Sequence, residues 1–170
     1  MKRDIRLWQF IGFAFTSVAG TLLHFAYEWS GENAVVGLFS GVNESVWEHM
    51  KLLFVPMFIF ALVESRYIGK EYENFWQVKL MGMLRGLILI PVLYYTYTGV
   101  LGVSADWFNI AIFYIAAAAA YRRESKLLKS GKTYVFSPAV AIGLLVWIAI
   151  MFAVFTFSPP DIGLFQEPRN

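Results

Sequence analysis

The chain has 170 residues, 58% of them hydrophobic and 15% charged, with a net charge of +2 and no cysteine. A soluble domain carries about 45–50% apolar and about 25% charged residues, and one this short leaves too much surface exposed to hide such an excess. The lack of cysteine excludes disulfides, thiolate zinc sites, iron–sulfur clusters and thiol catalysis, and no basic groove interleaved with aromatics points to nucleic acid.

In chain order, Met1 to Arg6 form a short basic head, and the apolar run over about residues 7–28 follows. That run is longer than the core of a signal peptide, and its small residues fall mid-run, so it reads as an uncleaved spanning helix. Further spans are expected at about 46–65, 78–98, 105–122 and 136–157, each near the ~20 residues that cross ~30 Å of hydrocarbon. Gly82 with Gly86, and Ala139 with Gly143, are small-residue pairs one helical turn apart that suit close packing. Ser137-Pro138 reads as the N-cap and first position of the last helix. The expectation is one all-α domain over 1–170, a polytopic bundle of five spanning helices. No internal repeat supports an inverted-repeat transporter.

The basic residues set the orientation. Lys2, Arg3, Arg6, Arg66, Lys70, Lys79, Arg122, Arg123, Lys126, Lys129 and Lys132 fall at one end of the spans, and only Arg169 at the other. Cytoplasmic loops carry the excess of Lys and Arg, which puts the N-terminus in the cytoplasm and the C-terminus outside. Arg85, inside the third span, is expected to snorkel or to pair with Glu64.

Chemistry concentrates at the outer ends of the first two spans. His24 and His49 are the only histidines and flank one external connection. On the first span Ser17, Thr21, His24 and Glu28 share a helical stripe; on the second, Glu44 and Glu48 precede His49. Imidazole and carboxylate suit zinc or another divalent transition metal, and the same groups suit a proton relay. Asp106 could join from the fourth span, and Asp161 from a tail folded back over the external face. Against this stand plainer roles: Ser45-Val46-Trp47-Glu48 fits a capping box, and Glu28 can sit solvated past a helix end. The connection over 29–45 is long for two helices and is either a lid or an amphipathic segment on lipid.

The segments from Leu23 to Gly31 and from Asn43 to Lys51 (Asn-Glu-Ser-Val-Trp-Glu-His-Met-Lys), with the tail from Pro159 to Pro168, carry a likeness to known proteins. On these residues the chain resembles a family of small bacterial integral-membrane proteins known only as a domain of unknown function. The resemblance implies a multi-pass protein of the bacterial cytoplasmic (inner) membrane and brings no activity with it.

The function expected first is a metal-assisted hydrolase or transferase acting at the outer leaflet on a lipid or lipid-linked substrate. His24, Glu28 and His49 would hold the metal, and Glu44 and Glu48 would act in catalysis. The rivals are a proton-coupled transporter or channel, which five spans would require to be an oligomer, and a non-catalytic membrane partner or assembly subunit.

Overall fold

The computed structural model describes residues 4–168, so Lys2, Arg3 and Arg169 of the orientation argument lie outside it. Six α-helices follow one another: α1 Ile5–Trp29, α2 Ala34–Gly37, α3 Val46–Tyr67, α4 Phe75–Leu101, α5 Asp106–Ser130 and α6 Pro138–Phe157. Single 3₁₀ turns at Gly69–Glu71 and Gly163–Phe165 complete the chain, and no strand occurs among the described residues.

Local chemistry sets the helix ends. The side chains of Asp4, Ser45 and Ser137 accept from the backbone N–H groups of Arg6, Glu48 and Val140, satisfying donors that the first helical turn leaves unpaired. Pro138 takes the first position of α6, as expected. Gly102 and Gly131 close α4 and α5 in the left-handed conformation, with φ of 71° and 59°, which glycine reaches without steric cost.

α1, α3, α4 and α6 are long and apolar enough to cross a membrane. α5 is longer than α6 but is not among them. Any stretch of it long enough to span takes in Arg122 and Arg123 together with Asp106 or Glu124. By length and composition the described helices thus give four candidate crossings, without α5. α5 sits in the bundle: α1, α3, α4 and α5 close into a ring in which each touches two neighbours, and α6 packs outside against α3 and α4.

Close approach in the ring depends on small residues. Ala116, Ala117 and Ala120 of α5 are fully buried. A Cβ on Gly86 would lie 2.7 Å from Leu53 Cδ2 and 3.3 Å from the Cβ of Ala120, so this stretch of α4 is glycine because its neighbours occupy the space. Ala139 and Gly143 differ from expectation: both are exposed, and nothing lies within 4 Å of a Cβ built on Gly143.

Only 17% of the most apolar stretch of α1, and of α6, is buried. Phe10, Val18, Leu22, Ile88, Val146 and Trp147 face outward. An apolar collar of that extent on a short chain is compatible with a lipid environment and far from the ordinary surface of a soluble monomer.

Candidate metal centre at the histidine end

α1 ends and α3 begins at the same end of the bundle, and they meet closely there. A Cβ on Gly20 would lie 3.0 Å from the backbone oxygen of Leu52 and 2.5 Å from Phe113 Cζ. This intimacy brings the His24 and His49 rings to a centroid separation of 5.7 Å.

The connection between the two helices delivers the third group. Lys51 is fully buried and donates to the Gly37 carbonyl at 2.8 Å, which fixes the end of α2. The Val42 N–H donates to Glu48 Oε2 at 3.1 Å, and the Ser45 N–H to Asn43 Oδ1 at 3.0 Å. Between those two anchors Glu44 turns toward the histidines, its carboxylate oxygens 3.5 Å from His24 Nε2 and 3.6 Å from His49 Nε2. One ligand atom from each of His24, Glu44 and His49 falls within 4.8 Å of the others.

These separations test the fit of a metal. Ligand bonds of about 2.0–2.2 Å in a tetrahedral shell put neighbouring ligand atoms about 3.3–3.6 Å apart. The His24 and His49 separations, each to a different oxygen of Glu44, fall in that range, and the three ligand atoms together lie within 4.8 Å of one another, wider than a closed shell. His49 Nδ1 lies 2.9 Å from the Ser45 carbonyl, which can only accept, so in the neutral ring Nδ1 carries the proton and the Nε2 lone pair faces Glu44. A backbone carbonyl on the far ring nitrogen is the outer partner that metal-binding histidines usually have. Zinc, or another divalent metal that takes nitrogen and oxygen ligands, fits the donor set.

Two cavities meet at these residues. One, of about 140 Å³, runs between α1 and α5 past Gly20, Thr21, Phe25, Ile110 and Phe113 and is almost wholly apolar. The other, of about 360 Å³, is mostly polar and is lined by Ser104, Asp106, Asn109 and Glu167 beside the histidines and Glu44. Asn109 faces both, held by the Tyr97 hydroxyl, which donates to its Oδ1, and donating in turn to Ser104 Oγ at 3.2 Å.

The other sequence candidates fall elsewhere. Glu48 is 2% exposed and turned away from the histidines, because neighbours on a helix point about 100° apart. Its carboxylate pairs with Lys51 at 2.6 Å and accepts from the Thr156 hydroxyl of α6 at 2.9 Å. Half of the capping box is present: Ser45 caps Glu48, whose own carboxylate goes to Val42 instead of Ser45. Glu28 is exposed one turn beyond His24 and is not in the converging group. Asp106 does reach the polar cavity. The tail does fold back, packing the Phe165 ring against Trp47 with centroids 4.8 Å apart, but it delivers Glu167 and Pro168 to that cavity while Asp161 accepts from Gln166. Thr21 bonds Tyr114 at 3.1 Å, on the wall of the apolar cavity.

At the opposite end lies a cluster the sequence reading missed. Lys79 of α4, expected in or beside the connection before the third span, is 1% exposed and ion-paired with both Glu64 of α3 and Glu124 of α5, the latter at 2.6 Å. Glu64 thus pairs with Lys79 and not with Arg85, whose side chain is exposed. The one sequence signal was Gly82, one turn after Lys79: a Cβ there would collide with the Glu124 side chain.

No curated protein and no solved structure matches the chain. A family model covers all of it, from residue 1 to 170, and by that match the chain belongs to the family of unknown function DUF6512.

Proposed function

We propose that this chain is a five-span integral protein of the bacterial cytoplasmic membrane whose His24, Glu44 and His49 hold a divalent transition metal, zinc first among them. It acts as a hydrolase or transferase on a lipid or lipid-linked substrate at the outer leaflet. The observation that carries this reading is the convergence of the three ligand atoms at the junction of an apolar and a polar cavity. The basic residues at the opposite end, Arg66, Lys70, Arg122, Arg123, Lys126, Lys129 and Lys132, support placing that end in the cytoplasm and the histidines outside.

A metal held there would polarise a phosphoryl or carbonyl oxygen and lower the pKa of a bound water. The protein's own groups supply the rest. Phe25, Ile110 and Phe113 receive an acyl or prenyl chain from the side, and Asn109, Ser104 and Asp106 offer polar contacts to a headgroup. Glu44, the most exposed of the three at 60%, can remain a ligand or take a proton from water. Glu48 has no place in this chemistry; with Lys51 it holds the connection that carries Glu44.

Elemental analysis of the detergent-purified protein beside its His24→Ala/His49→Ala variant tests the reading. Near-stoichiometric zinc or another transition metal, lost in the variant, is expected. Equal metal in both, or none in either after reconstitution with zinc, manganese, iron and cobalt, sinks it.

A further inference from the structure

The buried cluster at the opposite end of the bundle has an unbalanced charge. Glu64 and Glu124 are fully buried and Lys79 is 1% exposed, so two carboxylates share one ammonium. The groups facing them from each surrounding helix are Gln9 of α1, Phe75 of α4 and Tyr121 of α5. Gln9 donates to Glu64 Oε1 at 2.7 Å, and the Phe75 and Tyr121 rings lie 5.4 and 5.8 Å from the ammonium. Tyr121 is itself committed to Thr16 at 2.8 Å. Among the described residues, none of these brings a second positive charge. A net charge without solvent or partner is among the most costly things an apolar interior can hold.

Two further atoms point to what is missing. Glu124 Oε1 and Gln9 Oε1 are both buried without a hydrogen-bond partner, although Gln9 is 5% exposed and its amide lies against Glu64. Buried acceptors left open beside an excess negative charge ask for a hydrogen. There is little room for more, since Gly82 and Glu124 are already in contact.

We propose that Glu64, Lys79 and Glu124, with Gln9, form a proton-binding site inside the bundle, one of the two carboxyl groups holding a proton. The site lies at the end of the helices away from the histidines and stands independently of any metal there. With the proton in place the cluster is neutral: one carboxylate balances Lys79, and the other group, as a carboxylic acid, donates to a neighbouring acceptor.

Infrared spectroscopy of the whole protein in lipid vesicles at neutral pH decides this. The wild type is expected to show the carbonyl band of a buried carboxylic acid, shifted on exchange into D2O. Glu124→Gln and Glu64→Gln each leave one carboxylate to one lysine, so each is expected to fold and to lose the band. Glu48→Gln, in the balanced pair with Lys51, is expected to retain it. Absence of the band in the wild type overturns the proposal, as does its survival in both cluster variants. So does a wild type without the band whose thermal stability rises with sodium or potassium at fixed ionic strength, since a metal ion then balances the charge. Failure of both glutamine variants to fold also overturns it, because a carboxyl that is already neutral tolerates an amide of the same shape.

Discussion

The two ends of the bundle hold similar groups in opposite conditions. At one end His24, Glu44 and His49 keep 30%, 60% and 21% of their side-chain surface open and border two cavities. At the other, Glu64, Lys79 and Glu124 are sealed among four helices. Open groups can exchange water for a ligand, and their mutual attraction contributes little to stability. Sealed groups cannot, and their pairing decides whether the fold tolerates them. The contrast separates groups open to a ligand from groups whose charge must be balanced internally.

Removing the ammonium sharpens that contrast most. Lys79→Met is expected to destabilise the protein by about 3–5 kcal/mol, read as a fall in the thermal midpoint in detergent. Adding Glu64→Gln and Glu124→Gln to it should recover most of the loss. A Lys79→Met protein as stable as the wild type would show that the ion pairs carry no weight. Next comes the balanced pair: Lys51→Met leaves Glu48 buried and uncompensated, for a loss in the same range, whereas Lys51→Met/Glu48→Gln should lose clearly less. The single variant should also lower metal content, because Lys51 anchors the segment that carries Glu44.

At the open end the expected effects move from stability to ligand. Glu44→Ala should weaken zinc binding by more than the ~10–100-fold typical of losing an outer-shell partner, with little change in thermal midpoint; unchanged affinity in a zinc-competition titration would remove Glu44 from the site. Gly20→Ala places a methyl group 2.5 Å from Phe113 Cζ and should cost about 1–3 kcal/mol while narrowing the apolar cavity. The smallest effect belongs to Glu28→Ala, exposed and outside the converging group, with an expected change within ~0.5 kcal/mol and none in metal content. Loss of metal in that variant would restore Glu28 to the ligand set.

Local signals made the helices legible in the sequence. The run over 46–65 became α3 at Val46–Tyr67, and Ser45 and Ser137 cap the helices they precede. His24 and His49 were legible as a pair because consecutive antiparallel helices usually neighbour each other. Glu44, expected as a catalytic group, was legible only as a residue beside them, since its direction depends on Lys51 reaching back to Gly37. Glu48, expected to act beside the histidines, faces Lys51 and Thr156 instead, because one step along a helix turns a side chain away from its neighbour's target. Lys79 and Glu124 were hidden for a different reason. A charged run at a helix end reads as solvated, and α5 continues to Ser130, well past the residue 122 expected for its end. Nothing within one helix marks which of its charges meets a partner 45 residues away.

The anchoring of the connection between α1 and α3 has a consequence for kinetics. Lys51 fastens one point of it through Gly37, Glu48 a second through Val42, and Thr156 ties both to α6. A segment pinned at two places travels with the bundle and does not swing clear, so on the proposed function the slot between α1 and α5 would be the approach level with the acyl chains. A reactant that comes through such a slot is counted per lipid molecule and not per litre. Turnover would then follow its mole fraction in the bilayer: inert lipid slows the reaction, while added buffer leaves it unchanged.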